Sequence, residues 1–204
     1  VEEVMKGSII IVAFFVVGIL CGRLDLLPFD VSESNVSLYA LGALMFFVGI
    51  GVGSDSDTLK NLKSLNPRLA LLPVMTILGT LAGSMVASLF LRDRSLTDCL
   101  AVGSGFGYYS LSSIFITTYR GAELGTVALL SNILREIITL LCAPLLLMWF
   151  GRLAPIAAGG ATTMDTTLPI ITRTCGKEFV ILSIIHGFLV DFSVPFLVTF
   201  FCSI

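Results

Sequence analysis

Two acidic residues set the chemical question. Glu136 lies in "LLSNILREIITLL", residues 129–141, and Asp165 in "AAGGATTMDTTLP", residues 157–169. Both are flanked by apolar sequence. A charge at the centre of a membrane helix costs roughly 2.5–3.5 kcal/mol on insertion scales, so it must face protein or trapped water. A carboxylate held there can bind a cation or a proton. Asn132 and Glu136 are four residues apart and share one face of a helix. Arg135 is turned from Glu136 by about 100°, so the two charges need not pair with each other. The alternative for both is an ion pair with neighbouring helices. Asp165 has no lysine or arginine within its own stretch.

The residues around Asp165 describe an interrupted element. Gly159 and Gly160 allow backbone angles that other residues resist. Thr162, Thr163, Thr166 and Thr167 supply hydroxyls to orphaned backbone groups or to a ligand, and Pro169 suits the first turn of a resumed helix. An extramembrane loop is the plainer reading. Against it, "LAPIAAGGA" and "LPIIT" flank the polar centre without a basic residue. Unwound backbone at membrane depth is tolerated only where protein or water satisfies it. A second candidate break is "GSGFGYYSLSS", residues 103–113, with Gly105 among its glycines and hydroxyls at Tyr108, Tyr109, Ser110, Ser112 and Ser113. Small residues also serve close helix packing, which is the alternative there. Two separated interrupted segments point to a transporter site.

The last apolar run, "IIHGFLVDF", holds His186, the single histidine, and Asp191. Five residues apart, they point about 140° away from each other. His186 either titrates or is satisfied by a packed neighbour. Ser104 and His186 would suit an intramembrane serine protease if a water-filled cavity joined them. The order Val102-Gly103-Ser104-Gly105-Phe106 is not the Gly-x-Ser-Gly of rhomboid-like proteases, and no paired-aspartate protease setting occurs. The expectation is a carrier rather than an enzyme, with proteolysis and a purely structural membrane subunit as the distant alternatives.

These residues must be positioned by membrane helices. Of 204 residues, 56% are hydrophobic and 13% charged. A soluble domain of that length cannot cover so much apolar surface. Uncharged runs of about 20 residues, the length that spans a bilayer, recur along the chain. Clear spans lie at residues 6–27, 37–53, 69–91, 126–150 and 178–204. Residues 99–119 and 154–174 are apolar enough to enter the membrane but too rich in Gly, Ser and Thr for plain helices. Counting both as crossings predicts an all-α integral membrane protein of about seven membrane-crossing elements, one or two of them discontinuous.

Charge placement supports an N-terminus inside and a C-terminus outside. The inside ends then hold Lys6, Lys60, Lys63, Arg68, Arg120, Arg173 and Lys177, and the outside holds the smaller set Arg23, Arg92, Arg94 and Arg152. Making the second interrupted segment re-entrant on its own would move the C-terminus inside and place Arg173 and Lys177 outside. The first run lacks the basic start and cleavage site of a signal peptide and reads as a span. Residues 1–204 form one transmembrane domain. Residues 1–53 hold two helices ending an incomplete first repeat, and residues 69–204 a five-element second repeat. Net charge is −2, so no nucleic-acid partner is indicated. The five cysteines carry no CxxC, and neither a metal nor a cofactor is called for.

Four motifs together, "GFGYYSLSS", "NILRE", "GGATTMDTTLPIITRT" and "HGF" followed by "VP", resemble in order and spacing the lysine exporter LysO family. The resemblance covers essentially the whole chain. It implies an exporter of L-lysine and its analogue thialysine in a bacterial or archaeal cytoplasmic (inner) membrane, exchanging lysine for protons. It also implies kinship with cation/proton antiporter and bile-acid transporter folds. Family members are longer by about three N-terminal helices, and some occur as a short and a long subunit. This chain resembles the long part, which implies a small partner subunit or a homo-oligomer. On that reading Glu136 and Asp165 neutralise ammonium groups. Half-helix N-termini, or Arg135, meet the substrate carboxylate. Whether Asp165 touches substrate or caps the half-helix begun at Pro169 stays open at this point.

Overall fold

In the computed structural model of the chain, residues 67–91 and 93–204 are described, with the short stretches 13–14, 16–24 and 46–47 and residues 43 and 50. The expected spans at residues 6–27 and 37–53 lie largely outside the described residues. Among those described, regular structure is entirely helical. The helices are α1 (Leu72–Phe90), α2 (Leu96–Gly103), α3 (Tyr109–Arg120), α4 (Ala122–Phe150), α5 (Ala154–Gly159), α6 (Leu168–Cys175) and α7 (Val180–Ser203). Short 3₁₀ turns occupy Pro67–Leu71, Gly160–Met164 and Lys177–Phe179.

Length separates these helices into two kinds. At 1.5 Å per residue, α1, α4 and α7 reach roughly 28, 43 and 36 Å, enough for a hydrocarbon core of about 30 Å. By length and composition, these three with their flanking turns are the helices able to cross a membrane among the described residues. The others reach only about 9 to 18 Å. None of them crosses alone.

Ion pairs show where the short helices begin and end. At one end of the bundle Arg94, just past α1, pairs with Glu123 in the first turn of α4. Asp98 in α2 lies 3.7 Å from Arg120 at the end of α3. The Arg120 Nε donates to the Cys202 carbonyl near the end of α7 at 3.0 Å. The entry to α2 and the exit of α3 therefore share one end, and the α2–α3 segment folds back as a hairpin. At the opposite end, Arg152 before α5 pairs with Glu178 before α7 at 2.8 Å. There Leu69, Leu153, Cys175 and Phe179 belong to one apolar cluster. The α5–α6 segment is thus a second hairpin, entering from the other end.

This corrects the expectation that residues 99–119 and 154–174 each run across. Both segments are interrupted, as their glycines and hydroxyls predict, but each returns to the end it left. Charge counting was unable to reveal this. If both hairpins are re-entrant, Arg120 and Arg152 merely exchange sides, and the inside excess and the terminal orientation are unchanged. Only one segment at a time had a distinguishable signature.

Each hairpin has its own core. Ala101, Phe106, Ile116, Leu124, Ala128, Val190, Val194 and Val198 pack α2 and α3 against α4 and α7. Ala143, Ile156, Ile170, Ile171 and Leu182 do the same for α5 and α6. The order of hairpin followed by long helix therefore occurs twice, as α2–α3–α4 and α5–α6–α7, pointing in opposite directions. The outward faces, including Leu89, Phe90, Phe188 and Phe192, expose large apolar side chains. A bilayer is the solvent that accepts them.

Candidate functional site

The hairpin tips meet. The Ala161 amide donates to the Phe106 carbonyl at 2.9 Å, so backbone at one tip satisfies backbone at the other. Phe106 and Gly107 have positive φ (46° and 97°), as does Gly160 (61°). At Gly160 a side chain is excluded twice over: a Cβ would sit 2.2 Å from the Phe106 oxygen, and the left-handed backbone strains any L side chain. The glycines therefore both turn the chain and let the tips touch.

Polar groups from α4 then hold each tip. The Asn132 Oδ1 accepts from the Gly107 amide at 2.8 Å. Its Nδ2 donates to the Ala128 and Val102 carbonyls. Gly105 allows this approach, because its Cβ would lie 2.4 Å from Asn132 Nδ2. Arg135 serves the other hairpin. Its Nε donates to the Ala158 carbonyl at 2.8 Å and its Nη2 to Ala157 at 3.0 Å, at the C-terminal end of α5. A third bond, from Nη1 to the Thr80 hydroxyl of α1, measures 3.2 Å. Hydrogen bonds from charged groups contribute about 1.5–3 kcal/mol each. Three of them offset the cost of placing a guanidinium at this depth. No side-chain ion pair involving Arg135 occurs among the described residues; its partners are carbonyls and a hydroxyl.

His186 is fully buried and equally committed. Its Nε2 lies 2.9 Å from the Thr76 hydroxyl of α1 and its Nδ1 lies 3.1 Å from the Thr163 hydroxyl in the second tip. The Thr163 hydroxyl faces the Gly160 and Ser183 carbonyls at 2.8 and 2.9 Å. A hydroxyl donating to a carbonyl must accept from the ring, which puts the imidazole proton on Nδ1 and leaves Nε2 to accept from Thr76. Gly187 lets α7 come this close, as a Cβ there would meet the Met164 amide at 2.6 Å. Ser104 is buried and donates to the Leu100 carbonyl of its own helix at 2.7 Å. The Ser104–His186 dyad weighed from sequence is not formed.

The acids gather at the resumed half-helices. Asp165 follows the Gly160–Met164 turn, and its Oδ1 accepts from the Thr166 amide and, at 3.3 Å, from the Thr166 hydroxyl. No side chain caps α6. Asp165 therefore braces the turn and is not an N-cap of the helix begun at Leu168. Glu136 is half-buried on α4, within electrostatic range of Asp165 and of the Thr166 side chain. Tyr109, in the first turn of α3, lies within the same range of both acids. Asp191 on α7 joins them through its proximity to Asp165, and its Oδ1 is buried without a hydrogen-bond partner.

The remaining predicted residues divide by role. Thr162 donates to the Gly159 carbonyl at 2.9 Å and, like Thr163, repairs the break. Ser112 is buried and donates to the Tyr108 carbonyl at 2.8 Å; Tyr108 packs against the first core. Ser113 donates to the carbonyl of Ser110, itself an exposed residue, at 3.2 Å. Sequence reading missed Thr76 and Thr80. The signal was present, since Thr76, Thr80, Ser84 and Ser88 recur every fourth residue along an apolar span.

Three long apolar helices, two tip-to-tip hairpins and acids at their meeting point define a multi-pass membrane protein with a polar centre inside its helical bundle. The sequence profile described as "Lysine exporter LysO" matches residues 12–202, and the chain belongs to that family. It is 35% identical over 201 residues to the protein named Lysine exporter LysO of Escherichia coli (strain K12), covering 98% of this chain and 64% of that protein. It is also 35% identical over 202 residues to a Putative lysine exporter of Haemophilus influenzae (strain ATCC 51907 / DSM 11121 / KW20 / Rd), covering 99% of this chain and 98% of the relative. The chain thus spans just under two thirds of the length of the first relative. No solved structure matches it.

Proposed function

We propose that this chain exports L-lysine across the cytoplasmic membrane in exchange for protons, with Glu136 and Asp165 as the groups that bind the ammonium and the proton in turn. One observation carries the reading: Tyr109 in the first turn of α3, and Asp165 and Thr166 just before α6, each lie within electrostatic reach of Glu136 on α4. Two acids in one polar site suit a substrate with two ammonium groups. The N-terminal ends of the half-helices carry partial positive charge and favour the carboxylate forms, or the carboxylate of the substrate itself. Exchange follows if a site acid holds either a proton or an ammonium but not both. Asp191 stands next in line, close to Asp165.

The membership of the lysine exporter family supports lysine as the substrate. Thialysine, which differs by a sulfur in the side chain, fits the same chemistry. Three crossings and two re-entrant hairpins follow the two spans expected earlier in the chain. The N-terminus is then inside and the C-terminus outside. A small membrane subunit, or a second copy of the chain, covers the exposed apolar faces. The experiment is lysine efflux from preloaded proteoliposomes under an imposed pH gradient. Glu136→Gln is expected to abolish efflux while the protein stays folded, and undiminished transport by that variant rejects the role.

A further inference from the structure

We propose that the peptide group joining Phe106 to Gly107 is a strained latch, whose release parts the two hairpin tips while the rest of the bundle stays folded. Among the described residues, Phe106 is the one non-glycine residue with a positive φ, at 46°. A bulky residue avoids that region because its Cβ crowds the backbone. It persists there only where its surroundings over-determine it, and such residues gather at clamps and switches. The surroundings of Phe106 do so in three ways. Its ring is fully buried, in the core that also holds Ala128, Ala161, Val190 and Val194. The peptide that follows it is gripped from both sides. Its oxygen, that of Phe106, accepts from the Ala161 amide of the second tip at 2.9 Å. Its N–H, that of Gly107, donates to the Asn132 Oδ1 of α4 at 2.8 Å.

The grip between the tips is narrow. Ala161 to Phe106 is the single backbone hydrogen bond across the junction among the described residues. The second tip has fastenings of its own, through Arg135 to Ala157 and Ala158 and through His186 to Thr163. Its withdrawal from Phe106 therefore breaks one backbone bond and leaves those fastenings in place. It also removes one of the three restraints that hold Phe106 at positive φ. Glycine at position 107 lets the chain turn at little cost as the strain relaxes. The peptide is a rigid plane, so when it turns its N–H leaves Asn132 as well. The two bonds open as one event. On the transporter reading above, on which this use of the latch rests, the opening lies beside Asp165, which directly follows the turn of the second tip. Parting of the tips is then the step that changes access to the acids.

The test is amide hydrogen exchange of the full chain in lipid, labelled with ¹⁵N-alanine, ¹⁵N-glycine and ¹⁵N-valine and read by NMR without lysine. The Ala161 and Gly107 amides are expected to share one protection factor, within about threefold, at least about tenfold below that of Val190 in the same core. Unequal protection of the two, or protection of both as high as at Val190, would overturn the latch. Phe106→Ala and Phe106→Gly isolate the strain. Both lose the ring, but only alanine is strained at positive φ. Phe106→Gly is expected to melt at the higher temperature and to protect both amides about fivefold more. No difference between these variants would mean that no strain is stored, and overturns the proposal. The wild-type exchange decides the matter even if neither variant folds. Lysine efflux separates a latch from mere packing. At saturating lysine the less stable Phe106→Ala is expected to export faster than Phe106→Gly. Efflux that follows stability instead, or is equal in the two, would overturn the gating role. Wild-type vesicles that move no lysine would reject the transporter reading alone, since the exchange pattern is read without transport.

Discussion

Asn132 and Arg135 stand three residues apart on α4, and each holds the tip of a different hairpin. Asn132 binds the Gly107 amide of the first and Arg135 the Ala157 and Ala158 carbonyls of the second. One turn of one helix thus fixes the relative position of two segments that enter the bundle from opposite ends. Asn132→Leu removes the acceptor for a buried amide, at a cost of about 1–3 kcal/mol. Arg135→Lys keeps the charge but not the planar fork that reaches two carbonyls. Thermal unfolding in detergent should show both variants destabilised, with Arg135→Ala worse than Arg135→Lys. An unchanged midpoint for Asn132→Leu would remove the splint from the account.

Gly160→Ala tests the contact between the tips. The added methyl would lie 2.2 Å from the Phe106 oxygen, in a backbone region that strains any L side chain. The tips must separate, breaking the Ala161 to Phe106 bond. Lysine efflux is expected to fall by at least tenfold. Gly121→Ala, at a surface turn with open space around it, should keep its export despite a similar positive φ. Equal loss in both would show that backbone strain, and not tip contact, is what matters.

His186 predicts a spectroscopic result. It is the single histidine, so ¹⁵N-histidine labelling of the chain gives one ring to observe. Thr163, whose hydroxyl is committed to carbonyls, places the proton of a neutral ring on Nδ1 and leaves Nε2 to accept from Thr76. The nitrogen shifts should report that tautomer. His186→Phe keeps an aromatic ring, though a larger one, and loses both bonds, loosening the turn that carries Asp165. Its effect should appear mainly as a raised KM for lysine, since the acids themselves remain. A ring protonated on Nε2, or a variant with unaltered KM, would refute the bridging role.

The hairpins make a prediction about sides. Glu123 and Ser203 belong to the same end of the bundle, through Arg94 and through the Arg120 to Cys202 bond. Glu123→Cys and Ser203→Cys should therefore react with an impermeant reagent from the same side. Arg152→Cys should react from the other. Seven through-crossings would put positions 123 and 203 on opposite sides, so the experiment separates the two topologies.

Much of the candidate site was legible in the sequence because hydrocarbon forbids polar accidents. Glu136, Asp165 and the two glycine-rich interruptions stood out against apolar runs, and the structure places both interruptions as breaks. Roles were harder to read. Arg135 looked like a partner for an acid or a substrate, yet its bonds go to backbone carbonyls that become orphans only once α5 stops at Gly159. A Ser104–His186 dyad could be weighed, as a distant alternative, only because sequence does not show which hydroxyl a ring will meet; Thr76 is 110 residues away.

By itself the sequence determined that the chain lives in a membrane, where the three long helices of the described residues run, where its backbone breaks and that Glu136 and Asp165 sit among apolar residues. Those follow from local composition, since desolvating a charge or an open backbone is costly wherever it occurs. The tertiary structure alone decided that the broken segments turn back, meet tip to tip and are splinted by Asn132, Arg135 and His186. Direction of return depends on which distant ends pair, and a tally of basic residues is the same for two re-entrant hairpins as for two crossings. The acids became neighbours only when that folding set Tyr109, Glu136 and Asp165 within electrostatic range of one another.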